Sequence, residues 1–141
     1  MRKILFRGKR VDNGEWVEGY YAAEPYTKNT YNYGYILENE KDLFAKKAWL
    51  VDSRTVGQYT GLTDKNGTRV FEGDILKEYG SAPEYSLMVI KNTGFGCFIE
   101  FYFHGEIHST EQVGHTGWLS YDEVIGNIHD NPKLLNNFKN Q

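Results

Sequence analysis

Cysteine is almost absent from this chain of 141 residues, where Cys97 stands alone. A single thiol excludes an internal disulfide framework and fits a reducing compartment. Long apolar runs are missing as well. The start, MRKILFRGKRVDNG, has three consecutive apolar residues behind its basic ones. That is too few for a secretory signal, and nothing later approaches a membrane span. The expectation is a cytoplasmic protein with no membrane partner. Charge of one sign is lacking too: 16 basic residues against 19 acidic ones give a net charge of -3. This balance argues against wholesale attraction to nucleic acid or anionic lipid, and leaves only a local basic patch for such a role.

Aromatic residues are plentiful, at 16% of the chain with eleven Tyr and eight Phe, so there is ample material for a core. The length suits one compact domain or two small intimate ones. Strand signals dominate. Lys3 to Tyr21 reads as a hairpin about Asn13-Gly14, a pair that can take the positive backbone angles of a two-residue turn. That turn would set Lys9 opposite Glu18, Val11 opposite Trp16 and Arg7 opposite Tyr20. Ile4 and Phe6 fall on one face, and Lys3, Leu5, Arg7 and Lys9 on the other, one face being core and the other largely solvated.

Tyr31, Tyr33 and Tyr35 alternate as a strand would, and the charged stretch ENEKDLFAKK then reads either as a short helix or as an excursion between strands. A second hairpin at Asn66-Gly67 would place Asp64 opposite Arg69 as a complementary pair. Beyond it, Ile75-Leu76, Ser86 to Ile90 and Phe95 to Phe103 read as strands, with Phe95, Cys97, Ile99, Phe101 and Phe103 on one core-facing stripe. Asn131 and Pro132 suit the start of a short C-terminal helix that carries Leu134, Leu135 and Phe138 inward. The fold class expected is mainly β. An N-terminal β-hairpin region spans residues 1–55, and an SH3-like, partly open barrel with short helices, one of them at the C-terminus, spans 56–141. The barrel is inferred from Gly-Asp-Ile leading into long strands that can curl.

Chemistry-bearing clusters are few. On an uninterrupted strand His104, Glu106 and His108 would point the same way, and two imidazoles with a carboxylate suit zinc. His104-Gly105 also reads as a turn, and no clear fourth ligand is supplied, so the expectation is polar residues on a surface loop, with no metal and no cofactor. Cys97 sits on the apolar stripe as a small hydrophobe. No nucleophile elbow, dinucleotide loop or EF-hand spacing occurs. No catalytic residue is assigned. Arg2, Lys3, Arg7, Lys9 and Arg10, with Tyr20 beside them, could contact phosphates while tyrosines stack bases. The favoured reading of the same residues is a solvated hairpin face, with Tyr31, Tyr33 and Tyr35 in a core or a subunit contact.

Three blocks, MRKILFR, VDSRTVGQYTGLTDKNGTRVFEGDIL and EVIGNIHDNPKLL, in this order and spacing, resemble the YopX family of phage and prophage proteins. The middle block is the specific one, because an Asn-Gly turn followed by Phe-Glu-Gly-Asp-Ile is not dictated by hairpin physics. The resemblance implies a small, β-rich, phage-derived protein that self-associates, and it brings no catalytic motif. The function expected is a non-catalytic interaction or assembly factor, homo-oligomeric or bound to a phage or host protein. The alternative is a nucleic-acid-binding module built on the basic hairpin and the tyrosine stripe.

Overall fold

The computed structural model describes residues 4–23, 32–38, 47–77, 86–92, 97–103, 106–112 and 121–136. Tyr31, the stretch 39–46 and Phe138 lie outside the described residues, as do Arg2, Lys3 and His104. The chain is mainly β and divides into two compact units, Met1–Tyr59 and Thr60–Gln141.

In the first unit the hairpin at Asn13-Gly14 is formed by β1 (Phe6–Arg10) and β2 (Trp16–Ala23), but two residues out of the expected register. Arg7 faces Glu18 and Lys9 faces Trp16, so the expected Lys9–Glu18 and Arg7–Tyr20 pairs do not form. The turn explains the shift. A two-residue turn of the expected type needs positive φ at both Asn13 and Gly14. Only Gly14 has it, at 74°. Asn13 instead uses its side-chain oxygen to accept the Glu15 N–H at 2.9 Å, and Arg10 N–H donates to Glu15 O at 2.9 Å. The loop is therefore four residues long. A shift of two leaves every side chain on its expected face.

The alternation at Tyr33 and Tyr35 becomes β3 (Tyr33–Leu37), which pairs with β2 and with β4 (Ala48–Thr63). β4 also pairs with β1, so the pairings β1-β2-β3-β4-β1 form a partly closed ring. Between Arg7 and Lys9 the β4 register slips, and Thr55 repairs the ladder there: its Oγ1 accepts the Lys9 N–H at 2.9 Å and donates to Asp52 O at 2.6 Å. A ring of so few strands has little room inside. Glycines meet that limit, since a Cβ at Gly8 would lie 3.0 Å from Val51 Cγ2 and one at Gly34 would lie 2.6 Å from the Tyr21 ring. Ile36 and Val51 are fully buried in the space so left. Ile4 is 61% exposed while Leu5 is buried, so Leu5, from the face rich in basic residues, supplies the core contact.

In the second unit the end of β4 turns into β5 (Arg69–Phe71). Here Asp64 N–H donates to Thr68 O at 2.9 Å, and Gly67 has φ 79°. The loop holds three residues, and Asp64 does not face Arg69 as a cross-strand partner. Its carboxylate accepts backbone N–H groups from Asn66 and Thr68, both at 2.9 Å, and from Val124 at 3.0 Å. The Phe71-Glu72-Gly73-Asp74 segment is a turn into β6 (Asp74–Lys77), with Gly73 at φ 92° and Asp74 Oδ2 accepting the Phe71 N–H at 2.7 Å.

β6 joins β7 (Ser86–Asn92), β8 (Cys97–Phe103), β9 (Glu106–Gln112) and β10 (Glu123–Asn127) in an antiparallel sheet of order β10-β6-β7-β8-β9. Among the described residues no β9–β10 pairing closes it, so the ring of pairings lies in the first unit and the second holds an open sheet, not a barrel. Burial on both faces is the reason the sheet stays layered. Leu76, Met88, Ile90 and Ile99 cluster on one face with Val70 of β5, and Leu62, Cys97 and Phe101 pack against them. Ile75, Leu87 and Val89 cluster separately with Tyr102, Ile128, Leu134 and Leu135. Leu134 and Leu135 belong to α1 (Lys133–Asn136), the expected C-terminal helix. Asn131 O accepts the Leu134 N–H at 3.0 Å, while its side-chain oxygen turns back to the Asn127 N–H at 3.2 Å.

Candidate interaction surface

Directly paired residues of antiparallel strands carry their side chains on one face. Applied to the first unit, the pairing lists define a continuous outer surface. Lys9, Asp52 and Tyr33 form one row across β1, β4 and β3. Ala22, Tyr35 and Leu50 form the next, and Tyr20, Leu37 and Ala48 the third. Tyr33, Tyr35 and Leu50 are 40%, 37% and 37% exposed, high values for large apolar side chains on a packed sheet. The tyrosine stripe and part of the basic hairpin thus share one face.

Two shallow clefts border this face. One, of about 330 Å³, is lined by Lys9, Arg10, Val11, Tyr33, Asp52, Arg54 and Thr55. The other, of about 210 Å³, is lined by Arg10, Val11, Asp12, Ala48, Trp49 and Leu50. Val11 lies in both and is exposed, held by its N–H donating to Leu50 O at 3.0 Å.

The cations of the clefts are not all equivalent. Arg54 grips Asp52 with Nε at 3.0 Å and Nη2 at 2.8 Å, and this carboxylate raises the Arg54 pKa further. Arg10 holds Asp12 in the same fork, at 3.0 and 2.7 Å. That hydrogen-bonded pairing raises Arg10 and lowers Asp12 from their ordinary values. Arg7 stacks its guanidinium over Trp16, 4.8 Å from the ring centroid, in the place expected for Tyr20. Tyr20 pairs with Leu37 of β3.

Of the residues singled out in the sequence, Arg7, Lys9, Arg10, Tyr20, Tyr33 and Tyr35 lie in the first unit, with Arg7, Lys9 and the three tyrosines on one face. Val11, Leu50 and Arg54, which border that face, carry no signal in a single sequence. Of the weak zinc candidates, Glu106 is exposed on β9 and His104 lies outside the described residues. Among the described residues no three His, Cys, Asp or Glu gather as a metal site, and no helix is long and apolar enough to cross a membrane.

No curated protein matches the chain. A solved structure, protein EF1440 from Enterococcus faecalis, is similar over 96% of this chain and 99% of its own, at 20% identity and a TM-score of 0.47. The sequence profile described as YopX protein matches residues 5–136, nearly the whole chain. The turn residues Gly67, Gly73 and Asp74, which make the middle block recognisable, are accounted for by backbone geometry, and the chain belongs to the YopX family.

Proposed function

We propose that this protein is a phage-type, non-catalytic interaction factor that self-associates, and that its working surface is the outer face of the first unit. The observation that carries this reading is the exposed row structure of Tyr33, Tyr35 and Leu50, bordered by Val11 and the arginine forks. Contiguous exposed aromatic and aliphatic side chains with a polar rim are what protein interfaces are made of. Arg10 and Arg54 with their aspartates suit such a rim. Tyr33→Ser with Tyr35→Ser removes the aromatic area without touching a buried residue. Light scattering over a wide concentration range is expected to show association of the wild-type chain, weakened at least about tenfold in the double variant. A wild-type chain that stays monomeric at every concentration would refute self-association.

One observation favours a second reading, nucleic-acid binding: Arg7 and Lys9 share the face of Tyr20, Tyr33 and Tyr35, an arrangement that suits stacking platforms. Against it, Arg10 and Arg54 are each already bridged to an aspartate. A mobility shift with single-stranded and duplex DNA at low salt decides. A salt-sensitive shift lost in Arg7→Ala supports it, and no shift at low salt removes it.

A further inference from the structure

We infer that the Asn13-Gly14 loop is a site of spontaneous covalent modification, where the Asn13 side-chain amide is lost and an isoaspartate or aspartate takes its place, while the fold protects the same dipeptide at Asn66-Gly67. This goes beyond the reading of the protein as a self-associating factor and does not depend on it.

The reaction needs only water. The Gly14 nitrogen attacks Asn13 Cγ, the new C–N bond closes a cyclic imide, and the bond from Cγ to Nδ2 breaks. Ammonia leaves with the proton given up by the Gly14 N–H. Water then adds to either carbonyl of the imide and opens the ring, so one water is taken up, one ammonia is released and nothing is oxidised or reduced. A following glycine favours the attack, because no Cβ shields its nitrogen and its backbone turns most freely. The chain holds two such pairs, both exposed. In each the glycine N–H is bonded at 3.0 Å, Gly14 to Arg10 O and Gly67 to Asp64 O, so either loop must open before its ring can close.

Opening is where the loops differ. The Asn13 loop is closed by its own residues: Arg10 N–H donates to Glu15 O, and Asn13 Oδ1 accepts the Glu15 N–H, both at 2.9 Å. Its tie to another strand, Val11 N–H to Leu50 O, lies before Asn13 and need not break. The Asn66 loop is instead fastened to residues 122–124. Val124 N–H donates to Asp64 Oδ2 at 3.0 Å, Lys65 N–H to Asp122 O at 2.9 Å, and Asn66 Nδ2 to Glu123 Oε1 at 3.4 Å. Asp64 Oδ1 also holds the N–H groups of Asn66 and Thr68, so opening this loop strips a buried carboxylate of its donors. Side-chain chemistry sharpens the contrast. The Glu15 N–H polarises the Asn13 amide carbonyl and is aimed at the oxygen that gathers negative charge as Gly14 attacks. Asn66 commits the departing nitrogen itself to Glu123.

An isoaspartate at position 13 lengthens the main chain by a methylene and adds a negative charge to the loop whose Arg10, Val11 and Asp12 line the clefts of the first unit. The modification therefore alters the border of the outer face as the protein ages.

The test incubates the full wild-type chain at mildly alkaline pH, one sample folded and one in concentrated guanidinium chloride. Peptide mapping by mass spectrometry follows both asparagines, and labelling by an isoaspartyl methyltransferase identifies the product. In denaturant the two sites should convert at similar rates, since both are Asn-Gly. In the folded protein Asn13 should convert at least about fivefold faster than Asn66, the factor that one net hydrogen bond resisting opening amounts to. Asn13→Gln should remove the early isoaspartate signal. Equal rates in the folded protein, a faster Asn66, or no conversion at Asn13 while the denatured sample converts would overturn the inference. The same preference for Asn13 in denaturant would overturn it too, by assigning the difference to flanking sequence instead of to the loops.

Discussion

Asp64 is buried at the end of β4, yet its surroundings favour the charged form. Burial alone pushes its carboxyl pKa up, but N–H bonds from Val124, Thr68 and Asn66, with the Thr68 hydroxyl, outweigh that and hold it below the ordinary aspartate value. A carboxylate that accepts several backbone N–H groups is stabilised as the anion. Since the folded pKa is depressed, Asp64 contributes stability that is fully present above the unfolded value near about 4 and is lost as pH falls through the lower native value. Asp64→Ala should cost about 3 kcal/mol near neutral pH, because it strands N–H groups of the loop and of β10. Urea titrations from about pH 6 downward should show that cost shrinking as acid removes the same anion from the wild type. A cost that stays constant with pH would assign it to packing instead. The sequence showed Asp64 as a charged hairpin residue and missed this role, because one residue of loop length decides whether it meets Arg69 or caps the backbone of Thr68. Asn127 behaves alike: its side-chain oxygen accepts N–H groups from His129 at 3.0 Å and Asp130 at 2.9 Å, a local turn that no sequence period advertises.

At the scale of elements, hydrophobic alternation was legible and register was not. The stripe of Cys97, Ile99 and Phe101 on β8 and the exposed alternation of Tyr33 and Tyr35 on β3 follow from a period of two, which depends only on neighbours along the chain. Pairing partners depend on loop length, and both Asn-Gly sites adopt loops longer than the two-residue turn that the dipeptide favours. The partly closed pairing ring was illegible for a related reason, since the β1–β4 contact joins residues far apart in sequence, from Phe6 with Gln58 to Arg10 with Val51. Glycines record that ring. A Cβ at Gly19 would collide with the carbonyl oxygen of Leu37, a backbone atom that cannot rotate aside, whereas one at Gly67 would meet nothing within 4 Å. Gly19→Ala should therefore cost at least about 3 kcal/mol and separate β2 from β3. Gly67→Ala should cost about 1 kcal/mol, the strain of its positive φ alone. Chemical denaturation of the two variants compares them directly, and equal costs would mean that the ring yields at Gly19.

The two units differ in how much they bury, and the difference bears on association. Large apolar side chains buried in the first unit are Leu5, Ile36 and Val51 among the described residues, against nine in the second, from Val70 to Ile99. Small cores are marginal, because the fraction of the chain's surface that folding removes from water falls as the unit gets smaller. The first unit also leaves Tyr33, Tyr35, Leu50 and Val11 at its surface, side chains whose burial elsewhere would add what its interior lacks. Backbone amides of β1, β2 and β3 should accordingly exchange with solvent faster than those of β6, β7 and β8 when the protein is dilute. Association through the first-unit face should then slow exchange in β3 and in β4 near Leu50 as concentration rises, while leaving the amides of β7 unchanged, because binding that requires the folded unit stabilises it by mass action. Hydrogen exchange measured at two protein concentrations tests both statements. Uniform protection in the two units would show that the first gains its stability from the chain itself, and concentration-dependent protection confined to β8 and β9 would move the contact away from the tyrosine face.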